Sequence, residues 1–465
     1  MKHIHIIGIC GTFMGNLALL ARDLGFQVSG SDLNAYPPMS TMLAEQKIDV
    51  STGYHPDNLN HRPDLVLVGN TISRSNPEVD AMLDRGMYYT SGPQWMYENV
   101  LRDRKVIAVA GTHGKTTTTS MIAWMLDYAG LSPGYLIGGV AQNFSDAARI
   151  GDGEWFVIES DEYDTAYFDK RSKFVHYRPR IAALLNLEFD HADIFNSIED
   201  IERQFEYFIR TLPSSGRTIA NFDDTRLGEV INRSSVSPIV NFSTSGNREA
   251  DWYVDSQSED YLHSHIHSSV HGSVDLNWNI PGQHNTANAL AAIATVCEIG
   301  VNVETAIEAL CHFKPVKRRL ELLAEVNGIK IYDDFAHHPT AILASIDAVS
   351  KIDHPKRVIA IFEPRSNTMR MGIHGQNLVD AFDLADQVYM YRAPNVVWND
   401  RDLDRDDFFI FDSVESLLAS VSRELTSGDT VLVMSNGGFE NLQNRLIEQL
   451  QNNSSILSIV NSKKQ

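Results

Sequence analysis

The chain has 465 residues, which sets an expectation of three domains at roughly 150 residues each. Apolar residues make up 43%, too many for a disordered chain, and 60 Asp and Glu against 39 Lys and Arg give a net charge of −21, which argues against nucleic-acid partners and anionic membrane surfaces. Three cysteines, Cys10, Cys297 and Cys311, lie far apart with no CxxC pair, which excludes a disulfide scaffold or zinc ribbon and fits a reducing cytoplasm. No run approaches the roughly 18 apolar residues of a membrane span, and the N-terminus reads as a buried strand and turn, not a signal peptide.

In chain order, Ile4 to Gly8 predicts a strand, Asn16 to Leu24 a helix, and Gln27 to Ser29 and Leu65 to Val68 further strands, a βαβ series with a parallel sheet. The polar stretch Glu98–Lys105 closes this first domain, residues 1–103. A second domain, residues 104–314, opens on a strand at Val106 to Ala110. It continues through strands at Trp155 to Ile158 and Ile181 to Leu185. Period-two alternation from Asn232 to Val274 predicts a small antiparallel side sheet, and Ala287 to Ile299 an Ala-rich helix. The basic segment Phe313–Arg319 leads into a third domain, residues 315–465, with strands at Ile329 to Tyr332, Val358 to Phe362, Val388 to Tyr391 and Val431 to Met434, and a frayed polar tail after Asn452. The fold class is α/β: three domains, each with a mainly parallel sheet flanked by helices.

Two glycine turns carry chemistry. The first holds Gly8, Gly11, Thr12 and Gly15 between strand and helix, where backbone N–H groups and the helix end can approach a pyrophosphate. Its GxxGxxxG spacing departs from GxGxxG, so NAD and a UDP-sugar both remain possible. Asp32 ends the second strand, where a carboxylate can hold ribose hydroxyls. The second turn is Gly111-Thr112-His113-Gly114-Lys115-Thr116-Thr117, a GxxGKT variant of the phosphate loop. Lys115 is placed to neutralise phosphate charge and Thr116 to ligate Mg²⁺. Glu159 and His191 follow later strand ends as further Mg²⁺-ligand candidates. Glu162, Glu188 and Asp190 read equally as solvated loop carboxylates.

Six ordered segments, AGTHGKTTT from Ala110, ESDE from Glu159, NLEFDH from Asn186, GQHNTANALAA from Gly282, KRRLE from Lys317 and DDFAHHPT from Asp333, together resemble the Mur ligases of bacterial cell-wall synthesis. The first turn and the SGSD ending at Asp32 resemble the branch that uses UDP-N-acetylmuramate. The resemblance implies an ATP- and Mg²⁺-dependent amide ligase working through an acyl phosphate. It implies Gly8, Gly11, Thr12, Gly15 and Asp32 as UDP-sugar residues, and Gly111 to Thr117, Asn285, Asn288, Arg319 and Asp334 as ATP residues. Lys115, Glu159, His191, Arg319 and Asp334 are then the catalytic set, and Thr116, Glu159 and His191 the metal set. The doublets Arg318/Arg319 and Asp333/Asp334 leave the assignment within each pair open.

Three segments, SGPQW from Ser91, EYDTAYFDKRSKFVHYRP from Glu162 and FEPRSNTMRMG from Phe362, resemble the tripeptide-using members of that branch. The expected amine donor is therefore L-Ala-γ-D-Glu-meso-diaminopimelate, in cell-wall recycling, with L-alanine as the alternative. Arg365, Ser366, Asn367, Thr368 and Arg370 are the peptide-site candidates, since guanidinium forks suit carboxylates and the segment follows a strand end. Lys170, Arg171, Lys173, Arg178 and Arg180 form another basic cluster. The carbamylated lysine of several Mur ligases has no counterpart, because no Lys occurs from Phe174 to Phe313. Its neighbourhood holds Gln204 and Glu206 instead. His337 and His338 are candidate bases for the amine or residues of a domain seam. His263, His265 and His267 share one strand face and read as solvated, and the acidic run from Asn399 to Asp407 reads as a surface loop. An NAD-dependent dehydrogenase would explain the first turn and none of the later motifs. The oligomeric state is not legible.

Overall fold

The computed structural model describes residues 2–35, 39–352, 354–394, 396 and 405–462, with 453–462 as backbone alone. The first sheet is five-stranded and all parallel, in the order Asp49–Thr52, Gln27–Asp32, His3–Ile7, Leu65–Val68, Tyr89–Ser91. Its central strand is buried from Ile4 to Ile7, His5 included, and His5 Nδ1 shares a hydrogen bond with Ser29 Oγ of the neighbouring strand. The order reverses beside His3–Ile7, so the first glycine turn stands at the switch point where α/β sheets open a crevice.

The second sheet has ten strands, and Lys105–Ala110 lies between Ile181–Leu184 and Trp155–Ser160, all parallel. The antiparallel strands expected at the side extend this same sheet. Ile239–Ser243 pairs in parallel with Trp252–Gln257, and His263–Ser268 and Gly272–Asn277 follow antiparallel. The third sheet has six strands, parallel except for the edge strand Glu321–Val326, whose half-exposed pattern hid it in the sequence.

The first two sheets share one apolar cluster running from Met14, Leu17, Trp95 and Leu101 to Phe156, Phe174 and Phe205. The stretch Glu98–Lys105 is therefore no free linker, since Val100 and Leu101 pack inside it. The third sheet has separate cores on its two faces, around Phe362 and Phe382 and around Ile359 and Val433. It meets the second domain through polar contacts. Thr368 Oγ1 donates to Asp190 (2.9 Å), Asn367 Nδ2 to Asp193 (3.0 Å) and Thr340 Oγ1 to Glu188 (2.7 Å). The tail expected to fray is helical instead: Leu442–Ser462 is one helix, in a stretch with no Gly or Pro to stop it. Of the acidic run Asn399–Asp407, residues 399–404 lie outside the described residues. No helix of the described residues is long and apolar enough to cross a membrane.

Candidate active site

The second glycine turn joins the central strand Lys105–Ala110 to the helix Lys115–Tyr128. Gly114 sits at φ 82°, and a Cβ there would collide with Asn288 Oδ1, so both backbone angle and space demand glycine. Asn186 holds the loop from the next strand end. Its Oδ1 accepts from His113 N (2.7 Å) and its Nδ2 donates to His113 O (3.2 Å). Thr112 and Glu188 exchange side-chain and backbone bonds beside it. Asn288 accepts from Thr118 Oγ1 (3.2 Å), while Asn285 donates to Pro281 O (2.7 Å), so the helix Gln283–Cys297 closes over the loop.

Lys115 Nζ donates to Gly111 O (2.6 Å) and lies 3.2 Å from Glu162 Oε2, whose other oxygen is 2.9 Å from His191 Nε2. Glu162 is 3% exposed. It is no solvated loop carboxylate, because the chain turns inward after Ser160 and places it between two cations. Burial opposes its charge, yet the Lys115 ammonium and the His191 bond outweigh burial and lower its pKa. Burial likewise opposes the ammonium of Lys115, and the charges of Glu162, Asp161 and Glu159 raise its pKa overall. His191 is raised too, burial being outweighed by Glu162 and Asp190. Thr116 Oγ1 donates to Glu159 Oε1 (3.0 Å), and Gly138 N donates to Glu159 Oε2 (2.8 Å) where any Cβ would strike the carboxylate. Gln204 instead accepts from Ser172, and Glu206 pairs with Arg210 and Arg233. Neither stands at this cluster.

The first turn is held by the strand beside it. Gly8 N donates to Ser31 O (2.8 Å) and Cys10 N to Asp32 Oδ2 (2.9 Å), with Asn34 N on Asp32 Oδ1 (3.1 Å). Asp32 thus clamps the turn as well as facing its mouth. From the following helix, Thr12–Asp23, Asn16 donates to Ile137 O (3.1 Å), next to Gly138. The two glycine turns therefore sit on adjoining elements of one surface.

The two members of each third-domain doublet make different contacts. Arg318 pairs with Asp333 (3.2 Å) and donates to Ser435 O (2.6 Å), and burial pushes Asp333 up to about 6. Asp334 accepts from Leu320 N, Ala336 N and Ser345 Oγ. Arg319 lies over the Phe335 ring (4.7 Å) and has no hydrogen bond among the described residues; burial lowers its pKa, against the charges of Asp334 in its own domain and of Glu159 across the seam. Of the peptide candidates, Ser366 caps a short helix while Asn367 and Thr368 bond to the second domain. Arg365 lies against Gly437, and Arg370 Nε is buried without a hydrogen-bond partner.

His338 Nδ1 and His113 Nε2 each stand 3.3 Å from Glu188 Oε2, and His337 stands 3.8 Å from Asp190. These seam residues come from two domains, and no spacing in the sequence could join them. The triplet His263, His265 and His267 bonds across the strand to Asn277, Asp275 and Ser273. Lys170 and Arg171 pair with Asp164 and Asp169 on their own hairpin.

Burial lowers His337 from 6.5 to about 4 and His338 to about 3. An imidazole below 6.5 in the folded chain is protonated first in the unfolded chain. Its contribution to stability is thus complete above about pH 6.5 and is lost as pH falls toward 4, costing about 1 kcal/mol for each histidine by pH 5.5. Thermal melts from pH 7.5 to 5.5 should show a falling midpoint, and His337→Asn should flatten that slope. An unchanged slope contradicts the buried neutral assignment.

Residues 3–104 match the Mur ligase family catalytic domain, residues 109–296 the Mur ligase middle domain and residues 318–437 the Mur ligase glutamate ligase domain. The chain is 44% identical to a UDP-N-acetylmuramate–L-alanyl-γ-D-glutamyl-meso-2,6-diaminoheptandioate ligase of Haemophilus influenzae, covering 97% of this chain and 100% of the relative. It is 45% identical to the ligase of the same name from Escherichia coli K12, covering 96% and 98%. A UDP-N-acetylmuramate–L-alanine ligase of Caldicellulosiruptor bescii is 34% identical, covering 85% and 86%. The crystal structure of a murein peptide ligase from Psychrobacter arcticus superposes with a TM-score of 0.76 at 43% identity, covering 97% and 99%. With this identity held over nearly the full length and through all three domains, the chain belongs to the Mur ligase family.

Proposed function

We propose that this protein is an ATP-dependent ligase that joins L-Ala-γ-D-Glu-meso-diaminopimelate to UDP-N-acetylmuramate, forming ADP and phosphate, in the cytoplasm. The observation that carries this reading is that the relatives named for that reaction are 44% and 45% identical over nearly the whole chain, whereas L-alanine ligases match at 34% and 31%. Residues 1–103 would bind the UDP-sugar, 104–314 the ATP, and 315–465 would close on ATP and hold the peptide.

The chemistry follows from the charges. A carboxylate is a poor acylating agent, so its oxygen attacks the γ-phosphorus of ATP, the bond to the β-γ bridging oxygen breaks, and ADP leaves. The amine of the peptide then attacks the acyl phosphate carbonyl, passes through a tetrahedral adduct, loses a proton and expels phosphate. Catalysis is mostly positioning and countercharge. Lys115 is the ammonium at the transferring phosphoryl group, released to it when phosphate oxygens replace the Gly111 carbonyl and Glu162. Arg319, which has no hydrogen bond among the described residues, adds charge from the third domain, with Asp334 fixing the backbone around it. Asn285 and Asn288 support the loop and the nucleotide.

Hard oxygen donors and an imidazole gathered around the phosphate loop fit Mg²⁺. Thr116, Glu159 and His191 would hold it, and Glu162 stands where a further carboxylate is needed in the absence of a carbamylated lysine. Bound Mg²⁺ supplies charge neutralisation for the phosphate oxygens. His337 and His338, with pKa values near 4 and 3, are poor proton acceptors from an ammonium, so the seam role fits them better than that of general base.

Lys115→Ala leaves the buried Glu162 charge with His191 alone, so it should melt below wild type and, while still folded, lose a hundredfold or more in turnover; near-normal turnover by the purified variant contradicts its role. Asp32→Ala should raise the KM for the UDP-sugar far more than that for ATP, since it loosens the first turn and leaves the second intact. Equal shifts in both would remove Asp32 from the sugar site. The donor is settled by assaying the tripeptide and L-alanine side by side. Higher kcat/KM for the tripeptide is expected, with Arg365→Ala weakening its use more than it weakens ATP binding, and a clear preference for L-alanine overturns the tripeptide reading.

A further inference from the structure

Lys173 is a buried ammonium that the mechanism leaves unused. Its side chain is 7% exposed, in the short turn Lys173–His176 that follows the strand Asp169–Ser172. Its neighbours in the basic cluster pair off at the surface, whereas Lys173 points inward. One carboxylate reaches it, Asp161 at 3.3 Å, and that carboxylate also accepts from Tyr163 N (2.7 Å). Two aromatic faces flank Nζ, Phe13 at 5.6 Å and Tyr163 at 5.5 Å. An ammonium has three protons to place, and ring faces replace water's hydration only in part. With one carboxylate contact among the described residues, the ammonium has protons left for further oxygen acceptors, and a ligand's anionic oxygens are strong ones.

Its position says which kind. Phe13 belongs to the first glycine turn. The Tyr163 ring packs at 4.1 Å on His191, which bonds Glu162 beside Lys115. Lys173 thus lies between the turn that would hold a diphosphate and the cluster where a carboxylate would be phosphorylated, and the UDP-sugar must cross that interval.

We infer that Lys173 binds an anionic group of the UDP-sugar, either a diphosphate oxygen or the lactyl carboxylate, at the seam of the first two domains. This rests on the UDP-N-acetylmuramate reading above.

The test measures Kd by calorimetry for UDP-N-acetylmuramate, for UDP-N-acetylglucosamine, which has the diphosphate and no lactyl carboxylate, and for ADP, with wild type, Lys173→Met, Lys173→Arg and Asp161→Asn. Lys173→Met should weaken UDP-N-acetylmuramate tenfold or more and leave ADP within twofold. Lys173→Arg should restore part of the loss. If UDP-N-acetylglucosamine weakens in parallel, the partner is the diphosphate, and if it does not, the partner is the carboxylate. Asp161→Asn should keep or tighten sugar binding, because it frees the ammonium. A role confined to the ion pair instead makes Asp161→Asn and Lys173→Met equally damaging, and that outcome overturns the inference. So does an unchanged Kd in Lys173→Met when wild type binds UDP-N-acetylmuramate. Wild type that binds neither UDP-sugar overturns the parent reading and this inference with it. ADP binding reports folding in every variant.

Discussion

A carboxylate as deeply buried as Glu162 keeps its charge because an ammonium stands 3.2 Å from one oxygen and an imidazole 2.9 Å from the other. Removing either cation alone would leave an uncompensated charge, so Lys115, Glu162 and His191 form one unit. That unit fixes where the phosphate loop, the strand end after Ser160 and the strand end after Asn186 must lie relative to one another. Three segments far apart in the chain are drawn to one point by electrostatics. The glycines of the loop are what allow the backbones to come close enough.

The same unit explains how an acidic protein handles anionic substrates. The −21 charge is spread over surface residues screened by solvent, while the cations at the site are buried or half-buried. Lys115 and Lys173 lie where dielectric screening is weakest, so a few cations outweigh a distant excess of carboxylates. Their local acidic partners, Glu162 and Asp161, hold them in place.

The domains are joined unequally. One apolar core runs from the first sheet into the second, so their relative placement is fixed by packing. The third domain docks through hydroxyl, amide and imidazole contacts to residues 188–193. Such bonds exchange for water at small net cost. The third domain is thus held here by bonds that water can replace, and the first by apolar packing.

The sequence by itself determined the local chemistry. The glycine spacing marked both turns, because left-handed backbone angles and close approaches admit few other residues, and buried parallel strands left apolar runs wherever both faces are covered. Chain order identified Lys115, Thr116, Glu159 and His191 as candidates, since each follows a strand end. Only the tertiary structure decided which carboxylates are buried. Glu162 and Glu188 look alike in the sequence, yet one lies between an ammonium and an imidazole, and the other receives the His113 imidazole from its own domain and a hydroxyl and the His338 imidazole from across a seam. It also separated Arg319 from Arg318 and Lys173 from Lys170 and Arg171, because a side chain's partner depends on which distant segment faces it. Burial and pairing are properties of three-dimensional neighbours, and no spacing along the chain encodes them.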